Sequence, residues 1–411
     1  MPVAIIVLLI VLFAISIRNV LSIRLPIWLI TSVGAIFVIV SGQISLEGAL
    51  YAIEPDVMLY LFGVFFISFA AESCGFLEHF TDKVYAKAVN GNHALFITVF
   101  VLGLSAAFLM NDTIAIVGTL IIIQLCKYNK NLIKPLLLAL AYSITIGSAM
   151  SPIGNPQNLL IAVKGNFETP FLEFLIPLFI PTILNLFIVY TLLFITYKNI
   201  LKEKIAKPTP EPLSDTLTAS LVKICFLIMV ALLVLKGITD TMQLSYRLKF
   251  SYIALISALP LLISNKRLSY FKKLDWGTLL FFASTFILVR SVWDSGFLQD
   301  NLSNTTISIT SLSSIMIISV ILSQFISNVP LVALYLPLLI HHSLSTSHLL
   351  ALGVSSTIAG NISIIGAASN IIIIHNAEKR QAEPFGFLEF MKLGVPLVIV
   401  NLLVYKWFLK I

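Results

Sequence analysis

The chain has 411 residues, of which 58% are hydrophobic and 11% are charged, and its formal net charge is +7 at pH 7. Soluble domains carry about 25% charged residues, so the composition excludes a soluble globular protein and indicates an all-α polytopic membrane protein in a lipid bilayer. The positive charge is spread over short loops, which argues against a nucleic-acid partner and is typical of loops that stay in the cytoplasm.

The first half of the chain is predicted to cross the membrane five times, and a helix needs roughly 20 mostly apolar residues to do so. The predicted spans lie at about 2–17, 26–42, 57–74, 131–163 and 171–197. A sixth apolar stretch, 94–125, is interrupted at its centre by Asn111 and Asp112. This interruption predicts two half-length helices that form a re-entrant hairpin.

The span at 131–163 contains a second kind of interruption, the run 151–158, which reads Ser-Pro-Ile-Gly-Asn-Pro-Gln-Asn. Its two prolines lack the N–H that a helix needs, and Gly154 can adopt backbone angles that other residues avoid. The run therefore predicts a broken helix. Irregular backbone at membrane depth is tolerated only where protein or a water-filled cavity satisfies it.

A linker at 198–219 separates the first half from the second. The second half has predicted spans at about 220–236, 251–264, 276–293, 349–375 and 387–409. Its interrupted apolar stretch, 311–341, is broken by Ser327 and Asn328 and predicts a second hairpin. The span at 349–375 contains two glycines and several small polar residues near its centre, which predicts a second broken helix.

The same landmarks recur in the same order in the two halves. The run 363–370, Ser-Ile-Ile-Gly-Ala-Ala-Ser-Asn, takes the place of 151–158. The tetrapeptide Phe-Leu-Glu-Phe follows both runs, at 171–174 and at 387–390. Gly-interrupted hydrophobic segments at corresponding places in two halves are a pointer to the binding site of a secondary transporter.

Residues 1–197 and 220–411 are therefore predicted to be two inverted repeats joined by a cytoplasmic linker at 198–219. When each interrupted stretch is counted as a hairpin, 19 of the 26 Lys and Arg residues lie on the cytoplasmic side, as basic loops do. Five crossings per repeat place the second repeat upside down. The hairpins then open toward opposite sides of the membrane, and both termini lie outside.

The candidate substrate-binding and ion-binding residues are the polar side chains at the two hairpin tips and the two helix breaks. They are Asn111, Asp112, Thr113, Ser151, Asn155, Gln157, Asn158, Ser327, Asn328, Asn361, Ser363, Ser369 and Asn370. A broken helix leaves free N–H groups, which bind anions, and free C=O groups, which bind cations. The alternative is that these side chains only join helices through hydrogen bonds. A Na⁺ site is predicted at Asn111, Asp112 and Asn328.

Asp112 is the only carboxylate at either hairpin tip. A charge at the centre of the membrane costs about 2.5–3.5 kcal/mol on insertion scales, so something must offset it. Asp112 can ligate a coupling ion, carry a proton or cap its own hairpin tip, and coupling is the favoured role. Because a fixed carboxylate repels a doubly charged anion in a low dielectric, such a substrate needs a cation or proton beside it. A neutral oxyacid does not.

Sequence signatures of catalysis are absent: there is no Gly-x-Ser-x-Gly, no His-Glu-x-x-His and no P-loop lysine. An enzyme is therefore not expected. The three cysteines lie singly, without the spacing of metal ligands. We expect no cofactor, with Na⁺ or H⁺ as the coupling ion.

The run 147–159 resembles the ion transporter superfamily. The predicted arrangement of the chain resembles it too, because each of the two repeats places an Asn-tipped hairpin before a broken helix. This superfamily includes divalent anion–sodium symporters, arsenite permeases and a class of sodium–proton antiporters. In the symporter branch, Ser-Asn-Thr at both tips implies sodium and carboxylate binding. Here the tips read Asn-Asp-Thr at 111–113 and Ser-Asn-Val at 327–329. An Asn-Asp tip is more similar to the arsenite permease and antiporter branch.

The resemblance implies a secondary active transporter that moves a small inorganic or carboxylate anion, or an oxyanion, by alternating access coupled to Na⁺ or H⁺. The alternatives are a sodium–proton antiporter and an arsenite efflux permease. An alternative of another class is a membrane scaffold that keeps the fold without transporting. The resemblance also implies a homodimer, and the expected location is the plasma (inner) membrane of a prokaryote.

Overall fold

The computed structural model describes residues 2–20, 25–86, 88–127, 129–205, 214–243, 248–297 and 310–410. Within these ranges the regular structure is helical, apart from one isolated bridge between Asn90 and Lys204, which confirms the all-α class. Seven of the described helices are long and apolar enough to cross a membrane. The predicted linker is described only at its ends, because 206–213 lie outside the described residues.

Most of the described helices of the first half begin beside a capping side chain or a proline. They are α1 (Val3–Val20), α2 (Ile27–Val40), α3 (Leu46–Ala52), α4 (Pro55–Ser73), α5 (Phe76–Tyr85), α6 (Gly91–Leu109), α7 (Asn111–Leu125), α8 (Ile133–Ser148), α9 (Pro156–Lys164) and α10 (Pro170–Thr196). Ser45, Asn90 and Asn155 each accept a hydrogen bond from the backbone N–H three residues on. Such caps satisfy one of the free N–H groups at a helix start.

The described helices of the second half follow the same rule at three of their starts. They are α11 (Thr216–Thr241), α12 (Phe250–Ala258), α13 (Arg267–Lys272), α14 (Trp276–Asp294), α15 (Leu312–Ile326), α16 (Asn328–His341), α17 (Thr346–Ile358), α18 (Ala368–Lys379) and α19 (Phe387–Lys410). Asp215, Asp275 and Ser311 are the caps. Helices α3, α5 and α13 lie in predicted loops. Each has ten residues or fewer, too few for a periodic pattern to identify.

The two halves pack against each other in a reciprocal manner. Helix α4 of the first half lies along α12 of the second, and α14 of the second lies along α2 of the first. Gly63 allows the first contact, because a Cβ there would come within 2.8 Å of the Ala254 backbone. Ser32 and Ser284 join the second pair of helices through hydroxyls 3.0 Å apart.

The hairpin and break helices repeat this exchange. Helix α18 of the second half packs on α7 of the first, and α9 of the first packs on α16 of the second. Within each half, the first hairpin helix packs on the first part of the interrupted helix, α6 on α8 and α15 on α17. Gly147 permits the contact of α6 with α8, because a Cβ there would overlap the Gly103 carbonyl oxygen.

Helices α10 and α19 bring corresponding residues of the two halves into contact. Asn185 and Asn401 each lie eleven residues after the last phenylalanine of a Phe-Leu-Glu-Phe run. Both are fully buried, and the Asn185 amide donates to the Asn401 carbonyl at 3.4 Å. A two-fold relation between repeats brings corresponding residues together in this way. The orientation of the repeats in the membrane stays a prediction.

Candidate functional site

The two interrupted apolar stretches turn in the same way. A single residue, Met110, separates α6 from α7, with φ and ψ of 62° and 143°. A single residue, Ser327, separates α15 from α16, with φ and ψ of 65° and 161°. Positive φ is uncommon for residues other than glycine, and such strain clusters at functional sites. An asparagine, Asn111 or Asn328, begins the helix after each turn.

The chain leaves the helical path between α8 and α9, and again between α17 and α18. In the first break, the Asn158 amide donates to three backbone carbonyls within 148–151, at 3.0 to 3.4 Å. In the second break, the Asn370 amide donates to two carbonyls within 360–363, the nearer at 2.8 Å. These carbonyls have lost their partners in the helix, so corresponding asparagines stabilise both breaks.

Each hairpin tip is tied to the break of its own half. In the first half, the backbone N–H of Asn111 donates to the Gly154 carbonyl at 3.2 Å. In the second half, the Gln324 side chain donates to the Ala359 carbonyl at 2.9 Å. The Ser363 hydroxyl donates back to Gln324, also at 2.9 Å. The tip and the break therefore form one connected unit in each half.

Hydrogen bonds also join the two breaks across the halves. The amides of Asn155 and Gln157 both donate to the Thr357 hydroxyl in α17, at 3.2 Å. In return, the Asn361 amide donates to the Tyr142 carbonyl in α8 at 3.2 Å. The breaks of the two halves consequently lie beside each other.

One cavity of about 570 Å³ is lined by both hairpin tips and by the starts of α9 and α18. The polar members that these elements contribute are Asn111, Asp112, Gln157, Ser327 and Asn328. The remaining wall is mostly aromatic and aliphatic. Small-molecule sites commonly have a volume of about 300–1,000 Å³ and a few polar groups in an apolar wall, so the cavity is the candidate binding site.

Six helices reach this cavity with their first residues: α2, α7, α9, α14, α16 and α18. Side chains cap only two of these starts, Asn155 at α9 and Asp275 at α14, and the other four have no side-chain cap. A helix N-terminus carries roughly half a positive charge and free N–H groups that bind anions. The cavity therefore has partial positive charges around it, although no basic side chain lines it among the residues that the structure describes.

Two carboxylates face this ring of helix starts. Asp275 accepts hydrogen bonds from the Thr278 backbone N–H at 3.0 Å and from its hydroxyl at 2.6 Å. Asp112 makes no hydrogen bond and no ion pair with any residue that the structure describes. Its predicted alternative role as a cap is therefore not observed. Asn111 is 9% exposed, and its side chain likewise has no partner within the described ranges. Both side chains are available to a ligand.

Three buried amide oxygens beside the breaks also have no hydrogen-bond donor among the described residues. They are the Oδ1 atoms of Asn158, Asn361 and Asn370. Their Nδ2 atoms donate to backbone carbonyls, and this fixes the orientation of each amide, because an oxygen there would face another acceptor. A buried acceptor without a partner costs about 1–3 kcal/mol. A cation or a proton donor near the breaks would offset that cost.

The thirteen predicted binding residues divide into two groups. Asn111, Asp112, Gln157, Ser327 and Asn328 line the cavity, and Thr113 lines an adjacent cavity of about 230 Å³ that also contains Asp112. Ser151, Asn155, Asn158, Asn361, Ser363, Ser369 and Asn370 do not line the larger cavity. Six of these seven make hydrogen bonds that shape the breaks, and the Ser369 hydroxyl is buried without a partner among the described residues. Their direct contact with a substrate stays a prediction, as does the Na⁺ site.

Three residues that shape the site were not predicted from the sequence: Asp275, Gln324 and Thr357. Asp275 precedes a predicted span and has a threonine three residues on, the pattern of a helix cap. Gln324 is a polar residue inside the apolar stretch 311–341, and a polar residue at such a position indicates a buried hydrogen-bond partner. Thr357 offered none, because hydroxyl side chains commonly join membrane helices.

Known proteins resemble this chain over most of its length. The profile of a family described as citrate transporter matches residues 7–348. An uncharacterised transporter of Methanocaldococcus jannaschii is 30% identical over 345 residues, which cover 79% of this chain and 76% of the relative. A silicon efflux transporter of Oryza sativa subsp. japonica is 24% identical over 89% of each chain. The structure of the YdaH transporter of Alcanivorax borkumensis has a TM-score of 0.53 at 14% identity and covers 91% of this chain and 87% of that chain.

Proposed function

Because the chain belongs to the citrate transporter family and is a multi-pass membrane transporter, we propose that it moves a small anion or oxyacid by alternating access, coupled to Na⁺ or H⁺. The observation that carries the proposal is one cavity that receives both hairpin tips, the starts of both post-break helices and the unpaired Asp112. The inverted repeats and the re-entrant hairpins are part of this proposal. The reciprocal packing of the halves supports them.

The charge around the cavity restricts the substrate class. The six helix starts contribute roughly three positive charges in total, and Asp112 and Asp275 contribute two negative charges when both are ionised. The two contributions largely cancel, which suits a neutral oxyacid or an anion accompanied by a cation. The family is described as citrate transporter and one relative as a silicon efflux transporter. Carboxylates and inorganic oxyacids are therefore the substrate classes to test first. Arsenite is one of the inorganic oxyacids.

Coupling follows from the same balance of charge. A proton or Na⁺ at Asp112 removes one negative charge from the cavity, so the helix starts then attract an anion more strongly. By linkage, a bound anion raises the affinity of Asp112 for the cation to the same extent. The unpaired oxygens of Asn158 and Asn370 beside the breaks add acceptors for a cation. The unpaired carboxylate also suits a sodium–proton antiporter.

The lining of the cavity includes Pro26, Leu274 and Asp275. Pro26 follows the loop between the spans 2–17 and 26–42, and Leu274 and Asp275 end the loop between 251–264 and 276–293. The predicted topology places both loops in the cytoplasm. Under the predicted topology, the described conformation is open to the cytoplasm. Alternating access then requires a second conformation in which the same tips and breaks face outside.

The test uses purified protein in two steps. A thermal-shift screen with Na⁺, Li⁺, dicarboxylates, citrate, sulfate, silicate and arsenite identifies ligands, because binding to the native state raises the melting temperature. Uptake of the stabilising ligand into vesicles is then measured with and without a Na⁺ or pH gradient. We expect gradient-dependent uptake. Protein that is folded and binds a ligand but moves none under any gradient would support the non-transporting scaffold instead.

A further inference from the structure

We propose that a second cavity, at the opposite ends of the same helices, is the outer access to the substrate cavity, and that the ion pair of Lys164 with Glu54 closes it. The second cavity has a volume of about 390 Å³. It is lined by the C-terminal parts of α9, α14 and α16 and by the end of α3. This proposal rests on the proposed transport function.

Three helices line both cavities, and the layer between the cavities is thin. On α9, Gln157 lines the first cavity and Leu160, three residues on, lines the second. On α14, Phe282 lines the first cavity and Phe286, four residues on, lines the second. Since a helix rises 1.5 Å per residue, these steps correspond to roughly 5–6 Å, about one helical turn. On α16, the step from Val329 to Ala333 has the same length.

The two cavities lie at opposite ends of the same helices and have different charged linings. Helix starts and aspartates surround the first, whereas helix ends and the basic side chains Lys164, Arg290 and His341 line the second. Among the described residues of the second lining, Glu54 is the acidic one, and it is paired with Lys164. A cavity at the opposite ends of these helices that leads toward the substrate cavity within one helical turn has the features of an access route.

Both members of the ion pair of Lys164 with Glu54 line the second cavity. Lys164 is the last residue of α9, and Glu54 immediately precedes α4. Their side chains are 43% and 19% exposed. Ion pairs this accessible to water contribute little to stability, so the contact can form and break repeatedly. Because α9 belongs to a helix break and α4 does not, movement of the break relative to α4 would open the route.

A neighbouring ion pair supplies a matched control. Lys249 lies 3.1 Å from Asp56, and their side chains are 56% and 28% exposed. This pair also involves the start of α4, but neither residue lines the second cavity. Removing its positive charge alters a somewhat more exposed ion pair, whose acidic member Asp56 lies two residues from Glu54, without touching the proposed closure.

The first test measures access and needs no substrate. Ala333→Cys places a thiol in the second cavity, where Ala333 is 6% exposed, and the three native cysteines are buried. We expect Lys164→Gln to raise the labelling rate of this thiol by a membrane-impermeant reagent added outside, by roughly two- to fivefold, the range expected for an exposed ion pair. Lys249→Gln should leave the rate unchanged. An unchanged rate in Lys164→Gln, or an equal rise in the control, overturns the proposal.

The second test measures transport. A reducible bifunctional thiol reagent joins the cysteines of the Glu54→Cys, Lys164→Cys double variant. We expect uptake to stop, ligand-induced thermal stabilisation to persist, and uptake to return on reduction. Wild-type protein that moves no substrate contradicts the proposed function itself. Wild-type transport together with full transport by the cross-linked variant contradicts only the outer closure.

Discussion

Met110 and Ser327 turn the chain with almost the same pair of backbone angles, yet the residues after them differ in charge. The first tip continues with Asn-Asp-Thr at 111–113 and the second with Asn-Val-Pro at 328–330. Both tips line the same cavity, but only the first brings a carboxylate to it. The shape of the tips is shared by the two halves, whereas the ionisable group belongs to one of them. The proposed coupling is therefore asymmetric.

The attachment of each tip to its break differs in a second way. The first tip uses a backbone hydrogen bond, from Asn111 to Gly154, and the second uses the side chain of Gln324. A backbone contact persists through most side-chain substitutions, whereas a side-chain contact is lost with one. The two halves should therefore respond differently to substitution at this attachment. Three experiments compare the halves, in order of expected effect.

The largest effect is expected from Asp112→Asn. This change keeps the shape of the side chain but removes the only carboxylate at a tip, so gradient-driven transport should fall at least about tenfold, equivalent to ~1.4 kcal/mol in the barrier. The measurement is vesicle uptake with and without the Na⁺ or pH gradient. Val329→Asn, at the matching position of the second tip, adds a neutral amide and should retain the response to the gradient.

The outcome of this pair of variants decides whether the tips differ in function. Uptake by Asp112→Asn that still responds to the gradient as the wild type does would contradict a coupling role for the first tip. Loss of the response in both variants would mean that the tips act together, without the asymmetry.

The second effect concerns stability and should be equal in the two halves. A Cβ at Gly147 would overlap the Gly103 carbonyl oxygen, and a Cβ at Gly394 would overlap the Asn361 carbonyl oxygen. Overpacking of this kind costs about 1–3 kcal/mol, so Gly147→Ala and Gly394→Ala should both melt at lower temperature. Gly237→Ala is the control, because nothing lies within 4 Å of a Cβ there. A loss confined to one half would show that only one break depends on close packing.

The smallest effect is expected from Gln324→Met, which retains side-chain length and removes the amide. The Ala359 carbonyl and the Ser363 hydroxyl each lose a partner, and a single hydrogen bond contributes about 1 kcal/mol. A modest fall in melting temperature is expected. Gln124→Met in the first hairpin should have almost no effect, since the side chain of the half-buried Gln124 has no hydrogen-bond partner among the described residues. Equal melting of the two variants would contradict the side-chain attachment.

The sequence by itself determined the class of protein and the places where its helices stop. The low charge and long apolar stretches require a bilayer. Prolines and Gly154 prevent a continuous helix at 151–158 wherever the segment lies in the fold, and Asn111 and Asn328 interrupt two apolar stretches. Each of these features acts within a few residues along the chain, so each can be predicted without knowing its neighbours in space.

Only the tertiary structure decided which polar residues face the cavity. Asn158 and Asn328 are the same residue type at similar interruptions, but the Asn158 amide is used by carbonyls of its own break, whereas Asn328 lines the cavity. Asp275 joins Asp112 there from a position distant in the chain. Whether a polar group is used within the protein or left for a ligand depends on which groups the folded chain brings next to it, and no pattern along the sequence specifies those neighbours.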